Sequence, residues 1–180
     1  MSRPSPSVKK MIACLGLTKH PEGGFFSETY RSRETLRRES LAARFRGSRS
    51  ISTAIVYLLE RGDFSALHRI QSDELWHYYA GAPLEIVMLS PKGQVTKVFL
   101  GLDFKKGERP QICVPHGVWF GAAISKRSRG RYTLAGCTVA PGFDFKDFEM
   151  AKRTDLIKKF PARKNFILKW TRLSAEAKVS

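Results

Sequence analysis

The sequence predicts an all-β domain, either a barrel or a sandwich. Short apolar or β-branched runs follow one another from Ser50 to Val139. Gly- and Pro-containing separators punctuate them at regular spacing: Gly62-Asp63, Gly81-Ala82-Pro83, Pro91-Lys92-Gly93 and Pro115-His116-Gly117. Long amphipathic helices do not alternate with these runs, so the pattern argues against βαβ units.

Taken in order, residues 6–16 read as a short N-terminal helix. Ser5 suits its cap, Pro6 its first position, and Val8, Met11, Ile12 and Leu15 its apolar stripe, with Gly16 as the stop. The stretch HPEGG (20–24) reads as a turn, with His20, Glu22, Gly23 and Gly24 serving it. It leads into a strand, 25–31, on which strict alternation places Glu28 and Tyr30 on one face. Residues 32–49 are rich in Arg and Ser and read as a long connection with one helical turn. Strands are then predicted at 51–59, 64–70, 74–79, 84–89, 95–100, 111–114, 118–124 and 132–139. A short C-terminal helix is expected at 152–159, before Pro161. The basic stretch 162–180 has Phe166, Leu168 and Trp170 at alternate positions, the pattern of an edge strand or an unstructured tail. The expected division is a flexible N-terminus (1–9), one domain (10–161) and a basic tail (162–180).

With 180 residues, 42% of them hydrophobic, the chain can bury the core of one ordinary domain. No run has the length or apolarity of a membrane span, and the N-terminus has no apolar signal-peptide core. Cys14, Cys113 and Cys137 are widely spaced and odd in number, so they read as reduced thiols of an intracellular, cytoplasmic protein. The net charge of +16 favours anionic partners. No helix-turn-helix, zinc-finger or aromatic RNA-binding signature accompanies it, so nucleic acid is set aside as the main partner.

The chemistry concentrates in GDFSALHRIQSDELWHYYAG (62–81), which holds two of the four histidines. Strand alternation puts His68 and Ile70 on one side of their strand, and on the next it puts Glu74 and Trp76 on one face and His77 on the other. A histidine and a glutamate in an apolar pocket shift each other's pKa, and the imidazole can move a proton near neutral pH.

The spacing Gly62-x5-His68-x-Ile70-x3-Glu74-x6-Gly81 resembles the first cupin motif, Gly-x5-His-x-His-x3,4-Glu-x6-Gly, with Ile70 in place of the second histidine. Gly107, Pro115 and Gly117 resemble the second motif with a longer first gap, and Phe120 stands at its histidine position. The segments HPEGGFFSETYRS (20–32), FSALHRIQSDELWHYYAG (64–81), VPHGVWFGA (114–122) and YTLAGCTVAPGFDF (132–145) look like the DUF985 (Cupin_5) family, whose members are similar to the sugar-nucleotide epimerase RmlC. The resemblance implies an RmlC-like cupin β-barrel, or jelly roll, with a pocket inside and a homodimeric assembly.

A complete cupin metal site uses three histidines and the glutamate. Only His68 and Glu74 remain here, so no cofactor is expected; a metal, if present, would fall to those two. The favoured function is a metal-independent epimerase or isomerase of an anionic sugar or related metabolite, the alternative a non-catalytic binding protein for a nucleotide- or sugar-like small molecule, and the third reading a metal-dependent cupin oxygenase or isomerase. The catalytic candidates are His68, Glu74 and Tyr30. The ligand-binding candidates are Arg31, Arg69 and Arg131 as anion grips, Trp76, Trp119 and Phe120 as apolar platforms, and His77.

Overall fold

A computed structural model describes residues 8–172 of the chain. Ser5, Pro6 and the last eight residues of the basic tail lie outside the described residues. The chain opens with helix α1 (Val8–Cys14), and strands β1 (Thr18–Lys19) and β2 (Phe25–Arg31). The 32–49 connection carries the two-residue strands β3 (Thr35–Leu36) and β4 (Arg49–Ser50), with a tight 3-10 turn at Arg38–Ser40 between them. Then follow β5 (Thr53–Glu60), β6 (Phe64–Arg69), β7 (Asp73–Gly81), β8 (Leu84–Leu89) and β9 (Val95–Leu100). The remaining strands are β10 (Glu108–Arg109), β11 (Gln111–Val114), β12 (Trp119–Ile124), β13 (Tyr132–Ala140) and β14 (Glu149–Met150). Helices α2 (Arg153–Lys159) and α3 (Lys164–Trp170) close the described chain.

Twelve of the strands form two six-stranded sheets, ordered β1-β2-β5-β13-β7-β11 and β10-β9-β8-β12-β6-β14, and β3 and β4 pair with each other alone. Among the described residues the two ladders stay separate. The architecture is thus a jelly-roll sandwich rather than the closed barrel that the sequence suggested. Its core takes Tyr57, Leu59, Trp76 and Val114 from the first sheet and Leu84, Ile86, Phe120 and Ala122 from the second. Alternation along each strand decides the rest. Leu59 faces the core, while Leu58 turns outward beneath Met11 of α1. Leu67 likewise turns out of the second sheet, toward α2 and α3.

The C-terminal stretch is helical, not an edge strand. Ile167 and Trp170, three residues apart, share the buried side of α3, while Leu168 stays 39% exposed. The helical period prevails because the outer face of the second sheet, with Leu67, Val87, Leu89 and Trp119, needs an apolar cover.

Candidate functional site

A cavity of about 310 Å³ opens inside the first sheet. Its floor is made by alternate residues of four neighbouring strands: Phe26 and Glu28 of β2, Thr53, Ile55 and Tyr57 of β5, Cys137 and Val139 of β13, and Glu74 and Trp76 of β7. His68 and Ile70 reach in from β6 and its end, His20 and Glu22 from the turn before β2, and Phe143, Phe145 and Phe148 cap the opening.

The turn is fixed to β6 by its backbone. The Glu22 carbonyl accepts from the Ala66 N–H at 2.8 Å, and the Gly24 N–H donates to Asp63 Oδ2 at 2.9 Å. Gly24 has φ +71°, and a Cβ there would stand 2.7 Å from the Tyr57 hydroxyl, so no larger residue fits. Tyr57 in turn donates to the Gly23 carbonyl at 2.8 Å. This lacing carries the Glu22 side chain into the interior, where the residue is 5% exposed.

There Glu22 Oε2 lies 3.0 Å from His68 Nε2 and 3.3 Å from His20 Nδ1, while Glu22 Oε1 accepts from the Ser65 hydroxyl at 2.9 Å. His68 Nδ1 stands 2.8 Å from the Ala66 carbonyl oxygen. A carbonyl only accepts, so Nδ1 carries the hydrogen. Burial pushes His68 down to about 4, and at neutral pH its Nε2 is therefore a bare lone pair. A carboxylate oxygen opposite a lone pair would be repelled. The 3.0 Å contact needs a proton between the two atoms; burial raises the Glu22 carboxyl as it lowers His68, which brings the two groups toward sharing it. His20 is also lowered, first by burial, and packs edge-on against Phe26 with ring centroids 4.6 Å apart.

Glu74 sits deeper, 7% exposed. Burial, and then the field of Glu22, push it up to about 8, with the Cys137 thiol as its hydrogen-bonding neighbour. It is therefore a neutral carboxylic acid at pH 7, able to donate a proton. Trp76, 1% exposed, has an indole N–H with no hydrogen-bond partner among the described residues. At the rim, Arg31 donates to both carboxylate oxygens of Glu28, at 2.8 and 2.7 Å, and to the Phe143 carbonyl at 3.1 Å.

The structure brings together only part of the expected set. His68, Glu74, Trp76 and Arg31 line the cavity. His68 faces Glu22 rather than the Glu74 partner expected for it. Tyr30 is turned outward and is 54% exposed. The reason is a β-bulge. The β2–β5 register pairs Glu28 with Ile55 but Tyr30 with Ala54, so one residue is inserted and Arg31 takes the inward position. Trp119 belongs to the helix-covered cluster on the far face of the second sheet. Arg69 lies over its ring at 4.5 Å and pairs with Glu149 there. Arg131 is exposed near the Tyr132–Glu60 pair, at the opposite end of the β5–β13 ladder from Thr53 and Val139. Phe120 packs on His68, centroids 4.0 Å apart, from within the core. His77 faces outward, bonded through Nε2 to Thr138 and through Nδ1 to Gln111.

Glu22 and His20, read from sequence as turn residues, prove to be central. The available signal was the turn's place directly before a strand of the pocket sheet, which lets a residue between Pro21 and Gly23 be swung inward. The buried Arg49–Asp147 pair was also missed. Both guanidinium–carboxylate contacts are 2.6 Å, and they tie β4 to the short turn Phe145–Asp147 under the aromatic cap.

A cupin metal is a poor fit to these residues. Ile70 and Phe120 at two of the ligand positions have no donor atoms, and both ring nitrogens of His68 face partners already. Among the described residues no group of three His, Cys, Asp or Glu side chains is arranged to hold an ion.

A β-sandwich with a capped, partly polar pocket between its strands defines the protein as a cupin-type domain. The model of the cupin superfamily family DUF985 (Cupin_5) matches residues 9–151, and the chain belongs to that family. It is 32% identical over 164 residues to the uncharacterized protein YML079W of Saccharomyces cerevisiae, covering 88% of this chain and 82% of that one. Protein SO0799 from Shewanella oneidensis superposes with a TM-score of 0.82 at 37% identity, over 93% of this chain and 99% of that one. A hypothetical protein from Leishmania major does so with a TM-score of 0.84 at 30% identity, over 93% and 100% of the two chains. None of these printed names carries a reaction. Among the described residues no helix is long and apolar enough to cross a membrane.

Proposed function

We propose that this protein is a metal-independent proton-transfer enzyme, an isomerase or epimerase of a small carbonyl compound held in the cavity. The observation that carries the reading is the buried contact of Glu22 Oε2 with His68 Nε2 at 3.0 Å, short enough for one proton to pass between them. When that proton moves to His68, Glu22 becomes a carboxylate inside an apolar pocket, a strong base. Glu22 then takes the proton from the carbon beside the substrate carbonyl, and the C–H electron pair moves onto the carbonyl oxygen. Neutral Glu74 donates its proton to that oxygen. Return of that proton from Glu22 to the neighbouring carbon gives the isomer, while a proton delivered by solvent water to the opposite face, with Glu22 releasing its own to solvent, gives the epimer; in both cases Glu74 takes back a proton from a substrate hydroxyl as the carbonyl re-forms. Ser65 and Ala66 orient the pair throughout.

The test is incubation in heavy water with a panel of hydroxyaldehydes and hydroxyketones, following α-proton loss by NMR. Exchange that depends on Glu22 supports the reading, and absence of exchange with every compound overturns it. A second reading, a non-catalytic small-molecule carrier, is favoured by the aromatic lining of Phe26, Tyr57, Trp76, Phe143, Phe145 and Phe148. It predicts ligand-induced thermal stabilisation that survives in Glu22→Gln without any exchange.

A further inference from the structure

The basic character of the chain suggests an anionic ligand, yet the cavity does not share that character. Of its lining residues Arg31 alone is a lysine or arginine. Its Nε and Nη2 donate to the two oxygens of Glu28, and its Nη1 and Nη2 to the Phe143 carbonyl. An incoming phosphate would have to break those bonds or share them. It would also meet Glu28 and Asp144 at the same rim, a local excess of negative charge.

The interior offers no compensating cation. Burial disfavours the charged forms of His20 and His68, raises Glu22, and keeps Glu74 protonated at neutral pH. The other arginines proposed as grips lie elsewhere: Arg69 is paired with Glu149 outside the cavity, and Arg131 is on the surface. What the interior offers instead is neutral hydrogen-bonding capacity. The two carboxyl groups of Glu22 and Glu74 can donate or accept, and the aromatic residues Phe26, Tyr57 and Trp76 line the cavity beside them. A volume of about 310 Å³ is at the small end for ligand pockets.

From the saturated Arg31, the acidic rim and the carboxyl groups inside, we infer that the cavity selects an uncharged, compact polyhydroxy carbonyl compound, such as a free ketose, over its phosphorylated or nucleotide-linked form. The inference rests on the proposed function for the carbonyl group, but the charge preference is a property of binding alone.

The test uses the full chain with ¹⁵N-labelled indoles. Its three tryptophans give three indole signals, and Trp76→Phe identifies one of them. Probes are matched pairs: D-fructose with D-fructose 6-phosphate, D-ribulose with D-ribulose 5-phosphate, and dihydroxyacetone with its phosphate. The expected result is a saturable shift of the Trp76 signal by a neutral member, with binding at least about tenfold weaker for its phosphate. Glu28→Gln, which releases two bonds to Arg31 on an exposed part of the rim, is expected to narrow that difference. Equal or tighter binding of the phosphate, no Trp76 response to any neutral member, or an unchanged difference in Glu28→Gln overturns the inference. Selective binding without solvent exchange would defeat the catalytic reading and leave this one standing; exchange on a phosphorylated compound bound at least as tightly as its neutral partner would do the reverse.

Discussion

Glu22 Oε2 and His68 Nε2 meet at 3.0 Å in a buried interior, and because His68 Nδ1 is committed to the Ala66 carbonyl, Nε2 is the nitrogen that exchanges a proton with the carboxyl group. The relationship joins the turn before β2 to β6 and sets the site's chemistry. Its consequences for rate, pH response and stability can be measured separately.

Replacing Glu22 by Gln keeps the shape and a donor toward His68 but removes the base. Solvent exchange on an active carbonyl compound is expected to fall by about 10²-fold or more. Ser65→Ala loses only one hydrogen bond to Oε1 and is expected to cost less. Parallel rates for the two variants and the wild type, read by NMR, would disconnect Glu22 from the chemistry.

The exchange rate is expected to fall toward two limits. Below about pH 4 His68 takes up a proton of its own and can no longer receive the one from Glu22. Above about pH 8 Glu74 loses the proton it donates. The titratable groups that face this pair are His20, lowered by burial, and Tyr57 and Cys137, which burial raises well above their ordinary values. The full pH–rate profile, with Glu74→Gln losing the alkaline limb, checks the assignment.

Glu74 also leaves a signature in stability. Its folded pKa of about 8 lies above the ordinary 4.5, so between these values the folded chain holds a proton that the unfolded chain has released. Stability is fully present below about pH 4.5 and is lost as pH rises toward 8. Glu74→Gln mimics the protonated acid at all pH values. It is expected to match the wild type near pH 4.5 and to exceed it at pH 9, by on the order of 5 kcal/mol at most. Urea unfolding at the two pH values reads the difference.

The Arg49–Asp147 pair is buried on both sides and bidentate. Asp147→Ala leaves the guanidinium without its partner and is expected to cost about 3–5 kcal/mol. Because Asp147 closes the turn beneath Phe145 and Phe148, the same variant should raise the exchange of a bound ligand, seen as a faster off-rate. Arg49→Met with Asp147→Leu, which removes both charges, should recover most of the stability.

Much of the fold was legible because alternation and turn chemistry are local. Runs such as Leu84–Leu89 and Tyr132–Ala140 bury one face or both, and Gly-Pro separators end them. Sheet closure was not legible, since it depends on which edges pair. Nor was α3: Phe166, Leu168 and Trp170 alternate as in a strand, and only the apolar outer face of the second sheet makes the helix the better solution. In the site, the inward placement of His68, Glu74 and Trp76 follows from period two. Tyr30 was misplaced because a single inserted residue in β2 exchanges its side with that of Arg31. Glu22 was overlooked because a turn residue's burial is decided by contacts distant in sequence, here with Ser65, Ala66 and His68.

The most direct measurement is a ¹⁵N NMR titration of the four histidine rings in the full chain, with His68 assigned through His68→Gln. The account predicts that His68 holds its hydrogen on Nδ1, keeps an unprotonated Nε2 at pH 7, and takes up a second proton only near pH 4. A His68 ring that titrates near its ordinary 6.5, or that carries its neutral-state hydrogen on Nε2, would contradict it.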